Sequence, residues 1–172
     1  RLADGILELT RLERGAVPMR HEPLAADTPV RAALDAHRIL IESCELTLTE
    51  RITPGLRILG DTDRLTQAVG NLLSNAARYT PEGGSIEVSL HAEGDRAVIR
   101  VTDTGIGVAE QDLDRVFSRF WRADEARGSS TGGLGIGLAI VKEIVERHGG
   151  TVGAERRPSG GSTFTIRLPL AS

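Results

Sequence analysis

Residues 61–79 read as one long amphipathic helix that carries an apolar stripe and a polar one. Leu65, Ala68, Val69, Leu72, Ala76 and Tyr79 recur at helical spacing and should face a core. Asp61 is placed to cap the helix, and Asp63 sits in its positive first turn. Asn71, Asn75 and Arg78 follow at i, i+4 and i+7, a polar stripe roughly a quarter-turn from the centre of the apolar face. That position is the rim of the buried surface, where a cavity wall would lie. Asparagine is only a fair helix former, so two of them with an arginine on one stripe point to another use. An amide oxygen is a hard, neutral ligand suited to Mg²⁺, and a guanidinium pairs with phosphate. Taken alone, the stripe fits a solvated helix face equally well.

Two further segments supply complementary chemistry. Ile86, Val88 and Leu90 alternate, as do Ala97, Ile99 and Val101, with Glu93, Gly94 and Asp95 between them, which predicts a hairpin. Asp103 ends the second strand on the face of Ile99 and Val101. An inward carboxylate costs free energy unless a donor meets it, and the exocyclic amine of adenine is one such donor. Gly105 and Gly107 let backbone approach a flat ring; the competing reading is an ordinary turn. Later, Gly132, Gly133, Gly135 and Gly137 open a helix whose apolar side holds Ile136, Leu138, Val141, Ile144 and Val145. Glycines at a helix start expose N–H groups that hold phosphate. Residues 123–131 are small, polar and rich in Gly and Ser, and read as a loop able to close over a ligand. The P-loop pattern is absent, because the one lysine, Lys142, lies inside the following helix, and no Gly-x-Gly-x-x-Gly occurs.

With these segments in order, the chain resembles the catalytic, ATP-binding domain of bacterial sensor histidine kinases, and the wider group shared with gyrase, Hsp90 and MutL ATPases. Asn71–Thr80 resembles the N box, and Asp103–Gly107 the first glycine box. Val116–Arg122 resembles the F box, Gly133–Leu138 the second glycine box, and Gly161, Ser162, Thr163 and Phe164 the last. The resemblance implies Asn75 as the main Mg²⁺ ligand, assisted by Asn71, with Tyr79 packed against adenine and Asp103 accepting from its amino group. It implies phosphate contacts by Arg78 and Arg122, and a hinge at Gly133, Gly135 and Gly137. Gly105, Ile106, Gly107, Leu134, Ile136, Leu138 and Thr163 complete the implied ATP site. Leu134 stands where the family often has Ser or Thr, Arg78 where Lys is common, and Trp121 where Tyr is frequent.

Hydrolytic members of that group, and its serine-kinase relatives, resemble each other in placing Glu four residues before the metal-binding Asn. Here that residue is Asn71, and an amide takes no proton near neutral pH. Loss of a general base typically costs ~10²–10⁴ in rate. A neutral imidazole is already a nucleophile, so Asn71 favours transfer to histidine over hydrolysis. None of His21, His37, His91 and His148 fits as acceptor. His21, Glu22, Pro23 and Leu24 look like the acceptor motif, but the Arg-Thr-Pro segment is missing and the stretch alternates like a strand. Residues 1–14 resemble the end of the second dimerisation helix, with 15–172 as the ATP-binding domain; the acceptor helix is expected upstream.

Composition narrows the partners. The formal net charge is −3, and no basic run interleaves with aromatics, which argues against nucleic acid. Cys44 is the single cysteine, so no internal disulfide forms, and a reducing, cytoplasmic setting fits. No apolar run approaches the ~18 residues of a membrane span, so any spans of a membrane-anchored parent lie before Arg1. The family resemblance further implies ATP and Mg²⁺, a response regulator, the chain's own dimerisation domain and a homodimeric parent. Predicted elements run helix 1–13, strand 17–24, helix 28–42, strands 45–51 and 56–59, helix 61–79 and strands 85–92 and 96–103. A short helix 110–116, helix 135–148 and strands 150–156 and 162–169 follow. Three main helices on a mostly antiparallel sheet predict a two-layer α/β sandwich, the Bergerat-type ATP-binding fold, with nucleotide between the layers.

Overall fold

A computed structural model describes residues 2–118 and 136–172, excepting the side chains of residues 2–4. The elements are α1 (Leu2–Glu13), β1 (Glu22–Ala25), α2 (Asp27–Ser43), β2 (Thr47–Ile52), β3 (Arg57–Gly60) and α3 (Thr62–Tyr79). They continue with β4 (Ser85–Glu93), β5 (Arg96–Asp103), a 3₁₀ turn (Glu110–Asp112), α4 (Gly137–Arg147), β6 (Thr151–Arg156) and β7 (Ser162–Pro169).

Alternation makes the sheet and helical spacing makes the second layer. The main sheet has the order β2-β4-β5-β7-β6, with β2 parallel to β4 and every other pair antiparallel. Ile86, Val88, Leu90, Ile99, Val101, Phe164 and Ile166 form its buried face. Against it lie Leu65, Leu72 and Ala76 of α3, Leu34 and Ile41 of α2, and Val141, Ile144 and Val145 of α4. Fully burying each Val, Leu, Ile or Phe side chain among these contributes about 1.5–3 kcal/mol. The two-layer α/β sandwich expected from sequence is therefore the fold. In addition, α1 packs on α4 through Leu9 and Leu12, both 1% exposed.

Three expectations are corrected. Strand 17–24 shrinks to Glu22–Ala25, which pairs with β3 in a separate two-stranded ribbon. The reason is partner length: β3 ends at Gly60, where α3 is capped, so residues before Glu22 have no ladder to join. The expected helix 110–116 is one 3₁₀ turn followed by single turns, with bonds from Asp112 to Ala109 and from Arg115 to Asp112. Helix 135–148 is α4, Gly137–Arg147.

No local sequence pattern singles out His148. It is 8% exposed and joins the end of α4 to the start of α3. Its Nδ1–H donates to the Ile144 carbonyl at 2.7 Å, and its Nε2 accepts from the Asp61 amide at 3.0 Å. The carbonyl can only accept and the amide can only donate, so the partners select the neutral Nδ1–H tautomer. Gly60 makes room for the ring: a Cβ there would lie 2.6 Å from His148 Cδ2.

Candidate functional site

The site grows from the C-terminal half of α3. Asp61 caps that helix, accepting from the Arg64 amide at 3.1 Å through Oδ1 and from the Arg20 amide at 3.2 Å through Oδ2. With the apolar stripe buried on the sheet, Asn71, Asn75 and Arg78 are turned to one wall of a cavity of about 390 Å³. Ile136, Gly137 and Leu138 at the start of α4 supply the opposite wall. Asn71 Nδ2 donates to the Gly137 carbonyl at 3.2 Å, which fixes its amide and leaves Oδ1 uncommitted. The side chains of Asn75 and Arg78 have no hydrogen-bond or ion-pair partner among the described residues.

Asn75 and Tyr79 also border a second, narrower cavity, closed by Asp103, Ile106, Gly107, Val108, Ser162 and Phe164. Asp103 is 4% exposed at the end of β5. Its Oδ1 accepts from the Gly105 amide at 2.9 Å and the Ser162 amide at 3.3 Å. Its Oδ2 has no hydrogen-bond partner among the described residues, and the residue borders the cavity. Burial pushes the Asp103 carboxyl above its usual range, opposed by those two amides and by Arg157.

Two glycines make this corner possible. A Cβ on Gly105 would lie 2.3 Å from the Tyr79 carbonyl oxygen, where the Ile106 amide donates to that same oxygen at 3.2 Å. Gly161, at φ +88°, would place a Cβ 1.9 Å from the Asp103 carbonyl oxygen. Only residues without a side chain bring the ends of α3 and β5 and the β6–β7 hairpin into contact here. Arg157 Nη1 then donates to the Asp103 carbonyl at 3.1 Å, and Arg156 Nη1 to the Val108 carbonyl at 3.3 Å.

The structure brings Asn71, Asn75, Arg78, Tyr79, Asp103, Ile106, Gly107, Ile136, Gly137 and Leu138 to the two cavities, with Gly105 directly behind. Thr163 is a correction. It lies on the outer face of β7, its hydroxyl 3.2 Å from that of Thr102, opposite to the face of Asp103. Side chains alternate along a strand, so Ser162 shares the inner face with Phe164. Ser162 Oγ accepts from the Val108 amide at 2.9 Å while its own amide holds Asp103. Its parity with Phe164, Ile166 and Leu168 is the sequence signal for that inner position. Arg122, Gly133, Leu134 and Gly135 lie outside the described residues.

Residues 60–172 match the family described as histidine kinase-, DNA gyrase B-, and HSP90-like ATPase. The chain belongs to this family. Its fold matches a mycobacterial sensor histidine kinase, MprB, with TM-score 0.76 and 32% identity over 87% of this chain and 97% of that one. A sensor-like histidine kinase, SenX3 of Mycolicibacterium smegmatis, is 41% identical over 98% of the chain. Full-length ShkA, solved in complex with AMPPNP, aligns with 99% of this chain at TM-score 0.85 and 28% identity. The chain spans 45% of the SenX3 relative and 35% of ShkA, so it corresponds to one part of such proteins. That part is the catalytic, ATP-binding domain of the sensor-histidine-kinase type.

Proposed function

We propose that this domain binds Mg·ATP and donates the γ-phosphoryl group to a histidine on a dimerisation helix. The whole protein is then a homodimeric, membrane-anchored sensor whose catalytic part works in the cytoplasm and whose phosphoryl group passes to a response-regulator aspartate. No helix among the described residues is long and apolar enough to cross a membrane.

The half-committed carboxylate of Asp103 carries this reading. A buried acid with one oxygen held by two amides and the other open to a narrow cavity awaits an N–H donor. The exocyclic amine of adenine is such a donor, and Ile106 and Tyr79 line the same cavity. Triphosphate then extends toward Arg78 and the start of α4, where charge and backbone N–H groups meet it.

The donor set also fits Mg²⁺. Among the described residues no group of three or more acidic, His or Cys side chains could hold a metal. Asn75 and Asn71, one helical turn apart, offer amide oxygens to an ion that keeps water and phosphate oxygens for its remaining positions. When bound, the metal neutralises phosphate charge. The protein's own part is positioning: Asp103 fixes the base, α3 aligns the chain of phosphates, and Asn71 supplies no base for water. That last feature disfavours a hydrolytic switch.

Phosphorus NMR of Mg·ATP with near-stoichiometric protein tests the proposal. Shifted ATP signals without growth of ADP are expected, followed by ADP and an acid-labile phosphoprotein once a histidine-bearing dimerisation domain is added. Steady ADP formation without an acceptor would convert the reading to hydrolysis, and unperturbed signals would remove nucleotide binding. In Asn75→Ala the Mg²⁺ dependence of ATP binding should vanish; an unaltered dependence removes Asn75 as ligand.

A further inference from the structure

The phosphate-side cavity has a wall that its chemistry does not require. Besides α3 and α4, it is bordered by Gly5 and Glu8 of α1, and by Gln67 one turn before Asn71. Glu8 Oε1 accepts from Arg64 Nη1 at 2.8 Å and from Gln67 Nε2 at 2.7 Å, while Arg64 Nη1 also donates to Gln67 Oε1 at 3.1 Å. These contacts close a three-membered clasp between α1 and the first half of α3. A Cβ on Gly5 would be 3.6 Å from Ile136 Cδ1, so the same stretch of α1 also lies against the start of α4.

Arg64 and Gln67 belong to the polar stripe that continues as Asn71, Asn75 and Arg78. One helix face therefore serves two occupants. Its first half holds a carboxylate, and its second half faces the space assigned to polyphosphate. With Glu8 in place, a negative group stands in the wall of the cavity, and Arg64, one turn before the lining residue Gln67, is paired with it. Without Glu8, a guanidinium and an amide would extend the donor stripe toward the terminal phosphate. The pair is partly open to solvent, with side chains 32% and 26% exposed, so its hold is weak enough to be opposed. Leu9 and Leu12, by contrast, anchor the rest of α1 in the core, so the clasp can open without unseating the helix.

We infer that α1 is an inhibitory wall of the nucleotide cavity, held by the Glu8–Arg64–Gln67 clasp, and that clasp formation and polyphosphate binding oppose each other. Coupling of this kind is reciprocal: whatever breaks the clasp tightens ATP, and ATP loosens the clasp. The inference rests on the nucleotide reading above and assigns that site a regulator within the same chain.

Dissociation constants of Mg·ATP and of adenosine test it, for the wild-type chain, Glu8→Gln and Glu8→Ala. Glu8→Ala should bind Mg·ATP roughly fivefold more tightly, at the low end of measured couplings. Glu8→Gln, whose amide oxygen still accepts from Arg64 and Gln67, should show a smaller gain and keeps the test valid if the alanine variant folds poorly. Adenosine, lacking phosphates, should bind all three alike. Adding Arg64→Ala to Glu8→Ala should erase the gain. ATP affinity independent of residue 8, or adenosine affinity changing in parallel with ATP, overturns the inference while the nucleotide reading stands. A wild-type chain that binds neither compound overturns that reading itself.

Discussion

Asp61 and Asp103 occupy equivalent places: each is an aspartate at the end of a strand, 6% and 4% exposed, beside a glycine that admits a close neighbour. Their carboxyls move in opposite directions. Burial raises both, but at Asp61 the amides of Arg20 and Arg64 outweigh it and the group ends below its usual range. At Asp103 burial wins. The cause is the bookkeeping of donors. Asp61 commits both oxygens to backbone amides, whereas Asp103 concentrates two amides on Oδ1 and leaves Oδ2 to the cavity. A satisfied buried acid is a structural device. An unsatisfied one, kept in place by its surroundings, can still accept from a ligand, the role proposed above for Asp103.

Substitutions can break this contrast, and the largest effect is expected at the packing that holds Asp103. Gly161→Ala forces a Cβ into the Asp103 carbonyl at a left-handed residue, so a loss of about 3 kcal/mol is expected from overpacking and backbone strain together. Urea unfolding measures it, and a near-neutral result would mean that the hairpin shifts freely and does not position Asp103. Next comes Asp103→Asn, which keeps the Oδ1 acceptor but turns a donor toward the ligand. Loss of a hydrogen bond to a charged group predicts ATP binding weaker by roughly tenfold or more (~1.5–3 kcal/mol). A raised folded pKa favours folding only while the acid is protonated, and that contribution disappears as pH rises through the folded value. At neutral pH the charge is therefore a burden, and Asp103→Asn should unfold at the same urea concentration as wild type or a higher one. Asp61→Ala should do the reverse, lowering stability by about 1–2 kcal/mol through the lost cap with unchanged ATP affinity in the folded fraction. If Asp61→Ala weakens ATP as much as Asp103→Asn does, the distinction between the two acids fails.

What the sequence made legible was local. The cap at Asp61, the Asn71–Arg78 stripe and the inward Asp103 each follow from periods of 3.6 or 2, and each lies where that period puts it. Thr163, implied by the family motif alone, lies on the opposite face, because alternation along β7 pairs Ser162 with Phe164. Other features were out of reach of any local pattern. His148 meets Asp61 across 87 residues, and nothing near either one announces the other. The extent of β1 depends on how long β3 is, and the seat of α1 depends on Glu8 finding Arg64 56 residues away.

The smallest effect expected concerns the satisfied corner, and it separates His148 from both acids by pH. Burial holds the imidazole below its ordinary 6.5; the Ile144 carbonyl and Asp61 pull the other way, while the neighbouring His21 ring and Arg147 add to the depression. A depressed pKa means that below 6.5 the unfolded chain binds a proton the folded chain does not. Stability present above 6.5 is then lost as pH falls through the folded value. Asp61 gives way only in far more acid solution, below its ordinary 3.8, so the two groups act in separate windows. The urea midpoint should fall modestly between about pH 7.5 and pH 5.5 in the wild-type chain and stay flatter in His148→Gln, which lacks the titrating group. Equal slopes would mean that the Asp61 amide keeps its partner when the ring is protonated, which an imidazolium without a free lone pair cannot provide.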